Sequence, residues 1–489
     1  MRSSIDKKSI PLYIVGLAIF LYATYRSAVV GITHDEVYTY LIYVPLSVWE
    51  TISYNPIYNA NNHILNTLLM KVSCGLFGDA EWALRLPNTL GHLLYVVFSI
   101  KLARTFFPNA ILSLLAVLIL NANPYMLDFF SVARGYGLGM GCMMVSIYYF
   151  LRHLDKPKQT MLICSLIWAI LSVWSNFINV LYFTALVATY GLVQLDSSLR
   201  AQGAFFTTFW RSQIPSISAS AVLAALIYYP IQQLQKLDEF RYGGDSSFYK
   251  DSYLGLLRHS LYNEGYLGKE TVDYSNLLLM FVIAAAIIIL LVSAWRNRVL
   301  LRKQLGLVVL IILSLIALAS IVQHHMMDVA YLQDRRTIIF LPFVGLVVLF
   351  SLKALSRLSL SIANVIAIII SLMSAYHLIR TTSSMEGIRE WYYDENTKEV
   401  MALISKDAKV MQNDTISLTA TWTMKNSCDF YQRTHNLHWL KPLTYKSQDF
   451  GTSGYDYYYL YESEKGRVID STEQVFYENG RVLLKRIER

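Results

Sequence analysis

A helix needs about 20 consecutive apolar residues to cross a bilayer's hydrocarbon core, and this chain supplies near-spanning apolar runs again and again. They occur at about 11–30, 86–102, 110–125, 136–151, 160–175, 177–194, 214–231, 274–295, 305–322, 337–352 and 359–378. Backbone in lipid must satisfy its own hydrogen bonds, and runs of this length do so as helices. The prediction is an all-α polytopic membrane domain of about eleven transmembrane helices over 1–379. Composition agrees: 55% of the 489 residues are hydrophobic and 16% are charged, against roughly a quarter charged in soluble proteins.

Residues 1–379 hold 27 Lys/Arg against 18 Asp/Glu, whereas 380–489 hold 15 against 16. The excess cations sit in short stretches between apolar runs, which marks topology rather than nucleic-acid binding. Lys101/Arg104, Arg152/Lys156/Lys158, Arg200/Arg211, Arg296/Arg298/Arg302/Lys303 and Lys353/Arg357 fall at every second connection. They predict a cytoplasmic N-terminus and an external tail, in a membrane such as the bacterial inner membrane. Arg2, Lys7 and Lys8 before the first run read as the flank of an uncleaved anchor. The four cysteines, Cys74, Cys142, Cys164 and Cys428, show no C-x-x-C spacing, so neither a disulfide framework nor a zinc motif is implied.

This topology leaves a long first external loop, about 31–85, where chemistry is expected. Within it 63–77 reads as an amphipathic interfacial helix, because Asn66, Thr67, Lys71 and Ser73 lie opposite Ile64, Leu65, Leu68, Leu69, Val72 and Leu76. Val37–Trp49 reads as a first helix of the same sort. A second external loop, about 232–273, carries the turn-rich Gly243-Gly244-Asp245-Ser246-Ser247, which suits a mobile lid or a plain connector. The remaining 380–489 is soluble in composition. Helical patterns near 388–404 and 424–434, with strand-like runs at 415–421, 455–461 and 481–487, predict a small external α/β domain. Tyr455, Tyr457, Tyr459 and Tyr461 alternate along one strand face, which suits core packing first and sugar stacking second.

His34-Asp35-Glu36 follows the first span directly. Acids at that boundary suit a general base or a metal ligand; the alternative is an N-cap at Asp35 with Glu36 in the first turn. After them come Asn61-Asn62-His63, then Phe77-Gly78, Glu81 and Arg85-Leu86-Pro87, and later Ser131-Val132-Ala133-Arg134-Gly135-Tyr136. This order resembles the multi-spanning glycosyltransferases that use lipid-phosphate sugars, the group of the protein O-mannosyltransferases and lipid A aminoarabinose transferases. Asp35-Glu36 matches that group's acid pair, His63 the histidine of its H-P-P-L-like segment, and Phe77-Gly78…Glu81…Arg85-Leu86-Pro87 its "FG…E…RLP" stretch. Arg134 falls in a stretch like its "S-R-x-Y". Two departures stand out: both prolines after His63 are absent, and Asn61 stands where mannosyltransferases carry an acid.

The resemblance implies that a sugar leaves a polyprenyl-phosphate donor held among membrane lipids and passes, with inversion, to the hydroxyl of a protein, lipid or glycan acceptor. Asp35 is the expected base, since a positioned carboxylate is typically worth about 10²–10⁴ in rate. Glu36 would orient it, stabilise developing positive charge or help hold a divalent cation. Arg134 and one of Arg335 and Arg336 would meet the leaving phosphate, with Asn61 and His63 as further substrate contacts. No cofactor is fixed by the sequence, and a metal remains unassigned: His63, His324, His325 and Asp328 share the external side without ligand spacing. Two rival classes stay open, a flippase of lipid-linked sugars and a ligase or polymerase of lipid-linked oligosaccharides.

Overall fold

A computed structural model describes residues 9–56, 59–200, 205–262, 269–381, 387–411, 415–443 and 450–487. Arg2, Lys7 and Lys8 lie outside them. Every apolar run named above is helical, beginning with α1 (Ile10–Val29) and ending with Leu360–Thr381. Among the described residues seven helices are long and apolar enough to cross a membrane, or eight if the bent pair α6 (Ala110–Asn121) and α7 (Pro124–Phe130) is one span broken by 63°. The chain therefore has the polytopic helical architecture expected of it.

Between α1 and α6 lie four further helices: α2 (His34–Tyr38), α3 (Val48–Ser53), α4 (Ile64–Phe77) and α5 (Glu81–Phe106). The single helix expected over 37–49 is instead broken. α2 runs into a π-helical turn over Thr39–Tyr43, and α3 starts only after its N-cap Ser47, whose hydroxyl accepts from the Glu50 N–H. α4 forms where amphipathicity predicts, with Asn66, Thr67 and Ser73 buried and Leu69, Val72, Leu76 and Phe77 exposed. Its apolar face thus points away from the protein, as an interfacial helix requires.

α5 and α8 (Gly135–Asp155) form the scaffold beneath these loops. They touch backbone to backbone, which only glycine permits. A Cβ on Gly91 would lie 2.7 Å from Leu138 Cα, and one on Gly141 would lie 2.3 Å from the Gly91 carbonyl oxygen. Asn88 of α5 ties three elements at this seam: its amide donates to Asn66 Oδ1 at 2.7 Å, and its carbonyl accepts from Leu138 N at 2.9 Å.

The connections rich in Lys and Arg meet at one end of the bundle, where Arg200 donates to the Arg298 carbonyl and Asp196 accepts from Leu301 N. The long loops meet at the other. There Gly244 and Tyr331 form an antiparallel bridge and Arg241 pairs with Asp328 at 3.4 Å, so the Gly243–Ser247 segment is tethered.

The tail is α/β. Its four-stranded sheet has the order β1 (Leu418–Ala420), β2 (Tyr457–Tyr461), β4 (Arg481–Arg486), β3 (Thr472–Glu478), with β1 parallel to β2 and the rest antiparallel. β3 was not expected, although Asn479-Gly480, both at positive φ, is the turn that a two-residue hairpin favours. Tyr457 and Tyr459 are buried in the tail's core.

Candidate active site

Thr33, not Asp35, is the N-cap of α2. Glu36 at N3 accepts from the Thr33 backbone N–H at 2.9 Å, the carboxylate half of a capping box. The Glu36 oxygens also take both sides of the Arg85 guanidinium, at 2.8 Å each, and Oε1 accepts from Ala133 N at 2.5 Å. Arg85 spends its other donors on the carbonyls of Ser27, Val30 and Gly31. Glu36 and Arg85 are both fully buried, so the Glu36 carboxylate is taken up in holding the acid-bearing turn.

Releasing Asp35 from capping leaves its carboxylate free to face the polar cluster. Arg134 lies 3.6 Å and Arg335 3.5 Å from Oδ2, and Asn61 Nδ2 lies 3.5 Å from Oδ1. Burial would raise this carboxyl, but Arg134, Arg335, His34 and the Trp391 indole hold it below the ordinary carboxylate value. Asp35 is therefore an anion at neutral pH.

Arg134 is buried, and its terminal amines donate to Asn61 Oδ1 at 3.0 Å, the Asn61 carbonyl at 3.1 Å and Thr39 Oγ1 at 3.2 Å. These bonds make it an organiser of the Asp35 turn more than an open anion receptor. Asn61 accepts from Arg134 and turns its amide toward Asp35. His63 caps α4 beside them, edge-on to Tyr136 at 5.2 Å. Burial, with Arg134 and Arg335 nearby, pushes its imidazole well below the usual histidine range. It is a neutral ring whose Nε2 has no protein partner.

Arg335 is partly exposed and shared: besides Asp35 it reaches Glu390 at 2.9 Å and Tyr136 Oη at 3.2 Å. Arg336 points elsewhere. It donates to the Tyr242 carbonyl and lines a small recess with Tyr136, Asn176, Asn179 and Ile338. The structure thus gathers Asp35, Asn61, His63, Arg134 and Arg335 in one cluster, sets Arg336 next door across Tyr136, and diverts Glu36.

Metal ligation does not fit this cluster. Among the described residues no group of three or more His, Cys, Asp or Glu is gathered as a cation would need. His324 stacks on Tyr331, Asp328 pairs with Arg241, and neither joins His63.

Sequence reasoning missed the tail's share of the site. Glu390 and Trp391 reach Arg335, and Asp394 accepts from His34 N at 2.6 Å. The His34 ring is held from the tail as well, by the Thr423 carbonyl at 2.9 Å and Asn426 at 3.1 Å. The dense Arg389-Glu390-Trp391-Tyr392-Tyr393-Asp394 run just beyond the last span was the available signal.

A family model described as dolichyl-phosphate-mannose-protein mannosyltransferase matches residues 64–210, a stretch that includes Arg85 and Arg134. No curated protein sequence matches the chain. The crystal structure of ArnT from Cupriavidus metallidurans in the apo state superposes with a TM-score of 0.54 at 12% identity, covering 96% of this chain and 97% of that one. The same protein bound to undecaprenyl phosphate gives a TM-score of 0.50 at 12% identity over the same shares. At that identity the likeness establishes the fold. The resemblance read from the motifs holds in both the family match and the fold.

Proposed function

We propose that this chain, folded like ArnT and matched in part by the mannosyltransferase family, is a membrane glycosyltransferase that moves a sugar from a polyprenyl-phosphate donor to an acceptor hydroxyl. The carrying observation is Asp35: an ionised carboxylate, free of capping duty, set between two arginines. The comparisons support a lipid-linked donor, since one relative by fold binds undecaprenyl phosphate.

In this reading Asp35 takes the acceptor's proton as its oxygen attacks the anomeric carbon. The bond from that carbon to the phosphate oxygen breaks, and the phosphate departs with the electron pair. Its growing negative charge needs fixed cations, which Arg335 and Arg336 supply while Arg134 keeps Asn61 and Asp35 in place. One displacement inverts the anomeric centre. His63, neutral with a free Nε2, suits accepting a hydrogen bond from a sugar hydroxyl. The long loops and the tail then lie on the extracytoplasmic side, with 1–379 as the membrane domain and 380–489 as the soluble one.

A flippase would place ionisable residues and broken helices at the bilayer midplane. The broken span here ends instead at the tail. Asp128 of α7 pairs with Arg26 at 2.5 Å and accepts from Arg389 N at 3.0 Å.

Asp35→Asn tests the reading. The side chain keeps its size but cannot take a proton, so the purified variant should fold, bind undecaprenyl phosphate and lose transfer by about 10² or more. Near-normal turnover would sink the assignment.

A further inference from the structure

Arg335 is gripped from four directions, and two of the grips belong to the tail. Glu390 Oε1 takes one terminal amine at 2.9 Å, closer than Asp35 Oδ2 takes the other at 3.5 Å. The guanidinium also lies 5.4 Å from the centre of the Trp391 ring, and Tyr136 completes the set. Glu390 and Trp391 occur in one short turn, Arg389–Asp394, that opens the tail and carries a non-helical kink at Trp391.

That turn is anchored in the bundle. The second oxygen of Glu390 accepts from the Tyr125 hydroxyl of α7 at 2.8 Å. Trp391 is buried and meets Phe129 edge-on at 6.1 Å, and its indole is among the groups that favour the ionised Asp35 carboxylate. Beside it, Arg389 N is held by Asp128. All of it bears on how the guanidinium and carboxylate face each other.

A general base must be ionised and yet keep enough proton affinity to take a proton. A guanidinium seated squarely on Asp35 would make it a poor base; one drawn partly away leaves it serviceable. We propose that Glu390 and Trp391 are positioning residues, with Glu390 drawing Arg335 off the Asp35 carboxylate and the Trp391 indole fixing that carboxylate's aim, so that the tail sets the strength of the base. This rests on the reading of Asp35 as the base.

The two residues should act in opposite directions. Glu390→Gln removes a negative charge and frees Arg335 for Asp35, which should lower the carboxyl's titration midpoint. Trp391→Phe keeps a ring face for Arg335 while removing the indole N–H along with the second ring, which should raise it. Each change is expected to be about 1 pH unit. The measurement is pH-induced infrared difference spectroscopy of the full-length protein in lipid nanodiscs, with the Asp35 carboxyl band identified by its loss in Asp35→Asn. Melting temperature is recorded alongside.

A merely structural role would lower the melting temperature and leave the midpoint in place. Unchanged midpoints, or two midpoints moving the same way, would overturn the proposal. Glu390→Gln is isosteric and carries the test alone should Trp391→Phe not fold, a fall supporting the proposal and no fall ending it. The readout needs no turnover, so active Asp35→Asn would remove the catalytic reading while the titration still judged the clamp.

Discussion

Glu36 and Arg85 meet side by side in the protein's interior, Nε to Oε1 and a terminal amine to Oε2, both at 2.8 Å with neither side chain exposed. A pair so deeply buried is strongly destabilising to break from one side, because the partner's charge is stranded. Glu36→Gln should therefore lower stability by about 3–5 kcal/mol, measured by thermal unfolding in detergent. Asp35→Asn, one residue earlier, should unfold near the wild-type temperature. Equal melting of all three proteins would contradict the division of roles between these neighbouring acids.

The arginines should separate in the same way. Arg336 has no carboxylate partner among the described ion pairs and faces a recess, so Arg336→Ala should weaken undecaprenyl phosphate binding by about 1.5–3 kcal/mol, the range for a charge-assisted contact, with little change in melting. Arg134→Ala removes the tie between Asn61, Thr39 and Asp35, so its principal effect should be a lowered melting temperature. Titration with the lipid phosphate in nanodiscs checks both. Wild-type affinity in Arg336→Ala would remove this residue from the donor site.

Asp394 gives a pH-dependent prediction. Burial, with Asp35 and Glu36 near, raises its carboxyl well above the ordinary value, against the bonds from Ser427 and His34. A raised carboxyl contributes stability below its unfolded value, and that contribution is lost as pH rises through the folded one. Asp394→Asn can still accept from His34 N and can donate to Ser427, whose hydroxyl rotates. The variant should therefore gain melting temperature over wild type as pH rises from about 4 into the alkaline range, and show no gain in acid. A gap independent of pH would refute this.

Orientation is checked by cysteine labelling in intact cells, on a background with the four native cysteines replaced. Reagent should reach Asp245→Cys and Tyr455→Cys without permeabilisation. Labelling only after permeabilisation would invert the topology.

The spans were legible in the sequence because lipid imposes one length and one chemistry on each, and all the expected runs are helical. The polar partners were less so. Asp35, His63 and Arg134 could be singled out by order along the chain, yet which acid does structural work depends on Thr33 and Arg85, the latter 49 residues from Glu36. The 37–49 helix ends at Tyr43 ahead of Pro45, and the capping hydroxyl of Ser47 begins a new one, where apolar pattern alone runs on. Glu390 and Trp391 escaped notice because their meaning lies in Arg335, 55 residues upstream of Glu390 and in contact only once the tail folds back.

The glycine seam between α5 and α8 has a mechanical consequence. With no layer of side chains between the two backbones, there is nothing to repack, and the pair behaves as a single beam. Arg85 stands on one half of that beam and Arg134 at the head of the other, so the foundation under Asp35 is stiff.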